Sequence, residues 1–232
     1  MDIDILASSS AGNAYRVSDG KTGLLLDCGL AWREIQRILH FQTSALAGIL
    51  LTHEHGDHAK AARDAAKAGL DIFSGQGTFD ALALSGHRCH PAKARHQFRL
   101  GTFTVLPFDT VHDAAEPLGF LLASGDEKLV YLTDTAYSRY MFPGLTHILV
   151  EANYSDDILR ERVESGEVDV AMKSRLLRSH MSLQTCKEFL LANDLSQVEA
   201  IYLIHLSNGN SDAARFKREV QAATGKPVYV AG

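Results

Sequence analysis

The chain has 232 residues, of which 46% are hydrophobic and 22% charged, a globular composition that favours one α/β domain over residues 1–232. Its 28 acidic and 23 basic residues give a net charge of −5, which argues against sequence-independent coating of nucleic acid. The three cysteines form no CxxC pair, and we find neither a leader peptide nor an apolar run of membrane-spanning length. We therefore expect a soluble, cytoplasmic protein without a membrane partner.

Short apolar or alternating runs predict strands along most of the chain. In chain order these strands span residues 2–6, 14–17, 23–27, 47–51, 71–73, 87–90, 96–100, 102–106, 118–123, 128–132, 148–150, 200–204 and 227–230. Helices are predicted over residues 32–39, 60–68, 156–164, 187–192 and 213–223. Strands with interspersed helices in two successive halves predict an αββα sandwich, with helices outside two sheets.

Three of the eleven histidines lie within six residues, in the pattern HxHxDH formed by His53, His55, Asp57 and His58. The segment leaves a predicted strand and enters a predicted helix. In extended chain, residues two apart point to the same side, so His53 and His55 can converge on one metal ion. As the chain turns into the helix, Asp57 and His58 can face a second ion. Imidazole and carboxylate together suit Zn, Mn or Fe.

A dinuclear site needs ligands beyond these four, and three candidates occur at or just beyond the ends of later predicted strands. They are His112, Asp134 and His205. A carboxylate can bridge two ions, which is the role that we predict for Asp134. A single histidine at a strand end is more often a surface or hydrogen-bonded side chain, so His112 and His205 are weaker candidates when taken alone. Asp27 ends another strand, and we expect it to orient a ligand histidine.

This order of residues resembles the metallo-β-lactamase superfamily. The resemblance implies that His53, His55 and His112 hold one metal. It assigns Asp57, His58 and His205 to the other, with Asp134 bridging both ions together with a water or hydroxide. Four segments extend the resemblance to the YycJ (WalJ) branch, which is related to phosphoribosyl cyclic phosphodiesterases. These segments are residues 8–13, residues 112–119, residues 150–153, and a last set made of residues 173–175, 179–182 and 205–210.

The chain departs from the pattern of that branch at Tyr154, Ser179, Met181 and Gly209. These positions lie outside the implied ligand set. The departures therefore bear on the identity of the substrate more than on hydrolysis.

Two residues are predicted to move protons. Asp57 would orient the nucleophile or take its proton. His180 lies in a polar break before a helix, where the resemblance places a histidine near the scissile phosphate, and it would protonate the leaving oxygen. The alternative for His180 is an exposed histidine beside a helix start.

Residues 173–178 carry three cations that either receive phosphates or form a solvated helix face. The loop 8–13 offers hydroxyls and an amide that either bind phosphate or close a tight turn. We predict that the substrate contacts come from Ser10, Asn13, Lys173, Arg175 and Ser207.

The resemblance implies a phosphodiesterase with two divalent ions, Zn or Mn with Fe also accommodated, that acts on nucleic acid as a 5′-to-3′ DNA exonuclease. The alternative enzyme cleaves a small cyclic phosphodiester, such as a cyclic nucleotide or phosphoribosyl cyclic phosphate, which the acidic net charge favours. A third hypothesis is a metal-binding or redox-sensing module, such as a di-iron oxygen sensor. Homodimer formation is left open.

Overall fold

A computed structural model of the chain describes residues 1–231. The chain divides into two compact units. The first contains Met1–Asp109 and Ala114–Asp126, and the second contains Thr110–Asp113 and the chain from Glu127 onward. The prediction of a single domain stays a prediction.

The first unit is built on nine strands. They are β1 (Asp2–Ser9), β2 (Gly12–Ser18), β3 (Gly23–Leu26), β4 (Leu46–Leu50), β5 (Ile72–Ser74), β6 (Cys89–Pro91), β7 (Phe98–Leu100), β8 (Phe103–Asp109) and β9 (Leu118–Ser124). Strands β1 to β6 form one sheet in sequence order, antiparallel from β1 to β3 and parallel from β3 to β6. Strands β7, β8 and β9 pair as an antiparallel meander.

Short helices connect the parallel strands of the first unit. They are α1 (Trp32–Ile38), α2 (Gly56–Ala59), α3 (Ala62–Lys67) and α4 (Gln76–Ala81), and a 3₁₀ turn covers Thr43–Ala45. Parallel strands need such crossovers because both neighbours run the same way. The crossovers bring the carboxyl ends of β3 to β6 to one edge of the sheet, and the HxHxDH segment follows β4 at that edge.

The second unit has four parallel strands in sequence order. They are β10 (Glu127–Leu132), β11 (His147–Glu151), β12 (Ala200–Ile204) and β13 (Val228–Val230). Its helices are α5 (Asp156–Glu164), α6 (Val170–Ser179), α7 (Leu183–Ala192) and α8 (Ala213–Thr224). Every residue of β11 is buried, as expected for a central parallel strand. In the described part of the chain, no helix is long and apolar enough to cross a bilayer.

Side-chain caps fix the starts of three of these helices. Asp169 accepts from the backbone N–H of Met172 at the start of α6, and Ser182 accepts from that of Thr185 at the start of α7. Asp212 does the same for α8, and Gly225, directly after that helix, has the left-handed conformation that glycine adopts freely. Each cap contributes about 1 kcal/mol of helix stability.

The largest differences from the predicted elements are two helices that the sequence pattern did not indicate, α4 and α6. In addition, α7 begins at Leu183 rather than at residue 187, and the helix predicted over residues 60–68 is restricted to α3. The strands predicted at 87–90 and 96–100 are β6 and β7, which begin two residues later. The other predicted elements appear with ends shifted by at most a few residues.

Candidate metal centre

In the first unit, the HxHxDH segment brings four ligand-type side chains together directly after β4. The rings of His53 and His55 lie with centroids 4.7 Å apart, and those of His53 and His58 lie 4.3 Å apart. His55 caps helix α2, and its carbonyl accepts from the N–H of His58. The carboxylate oxygen Oδ2 of Asp57 lies 3.5 Å from Nε2 of His58. The strand-to-helix transition predicted from the sequence is therefore what gathers these side chains.

Asp27 orients two of these histidines through hydrogen bonds. Its Oδ2 lies 2.7 Å from Nδ1 of His58, and its oxygens accept from the N–H and hydroxyl of Thr52 at 2.7–3.0 Å. The Thr52 hydroxyl oxygen lies 2.9 Å from Nδ1 of His53. Since Asp27 is fully buried and can only accept, Nδ1 of each histidine carries the proton. Both rings therefore keep Nε2 as the unprotonated nitrogen that a metal needs.

The loop after β3 packs tightly against the start of helix α2. The N–H of Cys28 donates to the carbonyl of His58 at 2.7 Å, and the N–H of Gly29 donates to the carbonyl of Asn13 at 2.9 Å. A Cβ atom at Gly29 would lie 1.7 Å from the carbonyl oxygen of Asp57. Only glycine fits there, and this close approach fixes the backbone that presents Asp57 and His58.

In the second unit, three ligand-type side chains converge from a loop and two strand ends. Nε2 of His112 lies 3.5 Å from Oδ2 of Asp134, and Nε2 of His205 lies 3.7 Å from Oδ1 of Asp134. Nδ1 of His112 donates to the carbonyl of Ser179 at 2.8 Å. Burial lowers the pKa of His112, which keeps its imidazole neutral. This is the form in which imidazole binds metals.

Glu151 is a buried carboxylate at the centre of the second cluster. Its Oε1 lies 2.6 Å from Nδ1 of His180 and 3.3 Å from Nδ1 of His205, and its Oε2 accepts from the N–H groups of Thr135 and Met181. Burial alone would raise the pKa of Glu151, but the His180 imidazole holds it below its ordinary value. Burial alone would lower the pKa of His180, and the Glu151 carboxylate raises it instead. Each side chain therefore stabilises the charged form of the other.

Three residues of these clusters have left-handed backbone conformations. Asp27, Asp134 and His205 follow strands with φ of 56°, 45° and 53°, values that cost a non-glycine residue roughly 1 kcal/mol each. Such strain persists where the surrounding structure fixes the residue, and it is concentrated at functional sites. Here it turns each side chain at a strand end.

The donor set of both clusters fits a divalent cation. Nε2 of His58 lies 3.5 Å from the Asp57 carboxylate, and Nε2 of His112 and of His205 lie 3.5 and 3.7 Å from the Asp134 carboxylate. Imidazole nitrogens and carboxylate oxygens gathered at these distances are the donor atoms that a divalent cation binds. In the second unit, Asp134, Glu151, His180 and His205 offer ligand atoms that all lie within 4.8 Å of one another.

The predicted substrate residues occupy different surroundings. Asn13 is fully buried, and its amide donates to the Ser9 carbonyl at 2.9 Å and to Nε2 of His58 at 3.1 Å. Ser10 is exposed in the turn after β1. The Ser207 hydroxyl accepts from the amide of Asn210 at 3.2 Å. Asn13 therefore lies beside the nitrogen of His58 that is proposed to bind metal, while its contact with substrate stays a prediction.

The predicted cations lie on helix α6, beside His112. Arg175 pairs with Asp113 at 3.0 Å, and Lys173 lies on the same helix. Arg175 and Arg178 line a cavity of about 240 Å³ together with His112. The cavity is open to solvent and places guanidinium groups next to a ligand-type histidine, an arrangement suited to phosphate.

Sequence reasoning did not assign a role to Glu151 or Asn153. The Asn153 amide donates to the carbonyl of His205 at 2.9 Å. Glu151 was visible as an acid directly after the apolar run Ile148–Val150, much as Asp27 and Asp134 follow apolar strands. That position was the available signal. The pairing with His180, 29 residues later, was not visible in the sequence.

Comparison with solved structures identifies the fold. The metallo-β-lactamase fold protein YhfI from Bacillus subtilis superposes with a TM-score of 0.74 at 14% identity, covering 99% of this chain and 95% of that one. The predicted αββα sandwich of the metallo-β-lactamase fold is therefore confirmed.

Comparison of sequences identifies the family. A family model described as "Beta-lactamase superfamily domain" matches residues 22–206. Exodeoxyribonuclease WalJ of Streptococcus pneumoniae (strain D39) is 32% identical over 89% of this chain and 82% of its own length. Exodeoxyribonuclease YycJ of Bacillus anthracis is 28% identical over 91% and 84%, respectively. The chain belongs to the metallo-β-lactamase superfamily and, within it, to the WalJ/YycJ branch.

Proposed function

We propose that the chain is a metal-dependent phosphodiesterase that degrades DNA as a 5′-to-3′ exonuclease. The observation that carries the proposal is the similarity to relatives named exodeoxyribonucleases over most of the chain. The histidine and carboxylate clusters of both units support it, because their donors suit divalent ions.

The proposed ligands of two divalent ions are the seven residues His53, His55, Asp57, His58, His112, Asp134 and His205. Three of the five histidines, His53, His58 and His112, have Nδ1 within hydrogen-bonding distance of an acceptor, which favours Nε2 as the nitrogen that binds the metal. The native metal is proposed to be Zn or Mn, and the donor set also accepts Fe.

When bound, the ions supply a water with a pKa lowered to about 7 and hold the phosphate oxygens. The residues of the chain then position the attacking water and protonate the leaving oxygen. Asp57 accepts a proton from, or orients, the attacking water. Nδ1 of His180 lies 2.6 Å from the Glu151 carboxylate. The proton that His180 gives to the leaving oxygen therefore comes from Nε2.

Substrate phosphates would be received by the cations of α6 and by nearby hydroxyls and amides. The proposed contacts are Ser10, Asn13, Lys173, Arg175 and Ser207. The pairing of Arg175 with Asp113 leaves its other guanidinium N–H groups able to donate to phosphate.

The experiment offers two substrates to the same preparation. The purified protein is loaded with Mn or Zn and mixed with 5′-labelled single-stranded DNA or with a panel of cyclic nucleotides. The His55→Ala variant tests the metal cluster, and His40→Ala, an exposed histidine of the same unit, is the matched control. We expect progressive loss of DNA in the parent and in His40→Ala, and no loss in His55→Ala.

Cleavage of a cyclic nucleotide with DNA untouched would transfer the function to the small-substrate alternative, which the net charge of −5 favours. If the parent and His55→Ala show the same activity on both substrates, the proposal of a metal-dependent phosphodiesterase is refuted. We propose a cytoplasmic location, where DNA is available as a substrate. In that reducing compartment Cys28, Cys89 and Cys186 would remain free thiols, as they are in the structure.

A further inference from the structure

One stretch of the first unit is strongly basic although the chain is acidic. Residues 81–108 contain no Asp or Glu, in a chain with a net charge of −5. The same stretch contains four Lys or Arg and three His, which are Arg88, Lys93, Arg95, Arg99, His87, His90 and His96. The acidic residues are therefore segregated away from this segment, so the net charge conceals a local positive field.

The charges of this segment are presented to solvent. Lys93, Arg95 and Arg99 are exposed around the turn that joins β6 to β7. Asp71, just before β5, pairs with Arg88 at 3.1 Å and with His90 at 3.0 Å, and it neutralises part of the charge. Three cations remain around the turn, which is enough to attract a polyanion.

Aromatic rings lie on the strands that flank this turn. The Phe73 ring stacks on His90 at 4.7 Å and 18° and on Phe98 at 5.0 Å and 13°. These three side chains come from three strands, β5, β6 and β7. All three residues are partly exposed, and the His90 side chain is 41% accessible. Flat rings interleaved with cations are the combination by which proteins bind unpaired bases and their phosphates.

This surface adjoins the edge of the sheet that carries the histidine cluster. The N–H of Leu51 donates to the carbonyl of Phe73 at 2.9 Å, and the Ser74 hydroxyl donates to the carbonyl of Leu51 at 2.8 Å. His53 follows two residues later. Since neighbouring strands are about 4.8 Å apart, His90 on β6 lies about 10 Å from the strand that leads to His53.

We propose that the basic aromatic surface, made of residues 87–99 with Phe73, binds a single-stranded segment of DNA and holds it at the edge that carries the metal histidines. The inference rests on the proposed nuclease function and adds where the strand lies. Single strands fit better than duplex because only unpaired bases can stack on protein rings.

The test reverses three exposed charges and compares them with a matched set. The variant is Lys93→Glu, Arg95→Glu and Arg99→Glu together. The control is Arg33→Glu, Arg37→Glu and Lys67→Glu, which are exposed on helices of the same unit and change the net charge equally. Binding of labelled single-stranded DNA is followed by fluorescence anisotropy in EDTA over a salt series. Hydrolysis of bis(p-nitrophenyl) phosphate by the metal-loaded protein reports the reaction site.

We expect the triple variant to bind DNA at least about tenfold more weakly, with a salt slope smaller by about 2, because each phosphate contact on a single strand contributes about 0.7. The parent should also bind an abasic strand of equal length more weakly than DNA. Hydrolysis of the small phosphodiester should stay unchanged in both variants.

An unchanged affinity and salt slope in the triple variant, or an equal loss in the control, would overturn the assignment of this surface while leaving the nuclease intact. Preference for duplex over single strands would also overturn it. A parent protein that hydrolyses cyclic nucleotides and neither binds nor cuts DNA would instead refute the nuclease function itself.

Discussion

Replacing Asp27 by Asn should weaken metal binding although the two side chains have the same shape. The Asp27 carboxylate accepts from His58 and from Thr52, which in turn lies 2.9 Å from Nδ1 of His53. An amide can accept from Thr52 with its oxygen, but its NH₂ group then faces Nδ1 of His58 at 2.7 Å. The imidazole must move its proton to Nε2 to accept that donor, which removes the nitrogen that the metal needs.

Loss of such a partner typically costs 10- to 100-fold in metal affinity, or about 1.4–2.7 kcal/mol. We would measure Zn affinity by competition with a chromophoric chelator, and stability of the metal-free protein by thermal melting. Asp19→Asn is the matched control, since Asp19 accepts from the hydroxyls of Thr102 and Ser124. It should lower stability and leave Zn affinity unchanged. An affinity of Asp27→Asn within twofold of the parent would show that Asp27 does not set the tautomer of His58.

Further substitutions test other parts of the site. Gly29→Ala places a Cβ atom 1.7 Å from the Asp57 carbonyl oxygen and should reduce the rate of DNA degradation on the order of 100-fold. The control is Gly56→Ala, whose Cβ atom meets nothing within 4 Å and which should leave that rate unchanged. His180→Gln should slow DNA cleavage by about 10²-fold or more. It should barely affect hydrolysis of bis(p-nitrophenyl) phosphate, because that leaving group needs no proton. Equal loss of rate on the two substrates would show that His180 is not a general acid. Burial lowers the pKa of His147 below its ordinary 6.5, so the unfolded chain binds more protons below pH 6.5 and stability falls as the pH drops through that window. His147→Gln should reduce the difference in stability between pH 7.5 and pH 5.5 in urea melts, and an unchanged difference would contradict the assignment.

The sequence was most informative where local pattern and chemistry agree. The HxHxDH segment combines a strand end, a helix start and ligand side chains within six residues, so its convergence could be predicted. Asp134 and His205 could be predicted only as polar residues after apolar strands. Their left-handed backbone, which turns the side chains, depends on surrounding structure and has no signal in the sequence.

The missed features depend on contacts between distant residues. Helix α4 contains Gly77, a poor helix former, and its N–H donates to the Glu116 carboxylate at 2.7 Å, 39 positions away. Helix α6 has exposed apolar residues at Val170, Met172 and Leu177, so its polar and apolar positions follow no clear period. The Asp169 cap was the signal that could have located its start.

The most direct test of the account is a metal titration of metal-free protein, with bound metal and DNA degradation recorded on the same samples. The proposed ligand set predicts that activity rises as two ions bind per chain, and that His55→Ala binds fewer ions and leaves DNA intact. Degradation of DNA at full rate by the metal-free protein in excess chelator would contradict the account, because no metal-free route is proposed for these residues.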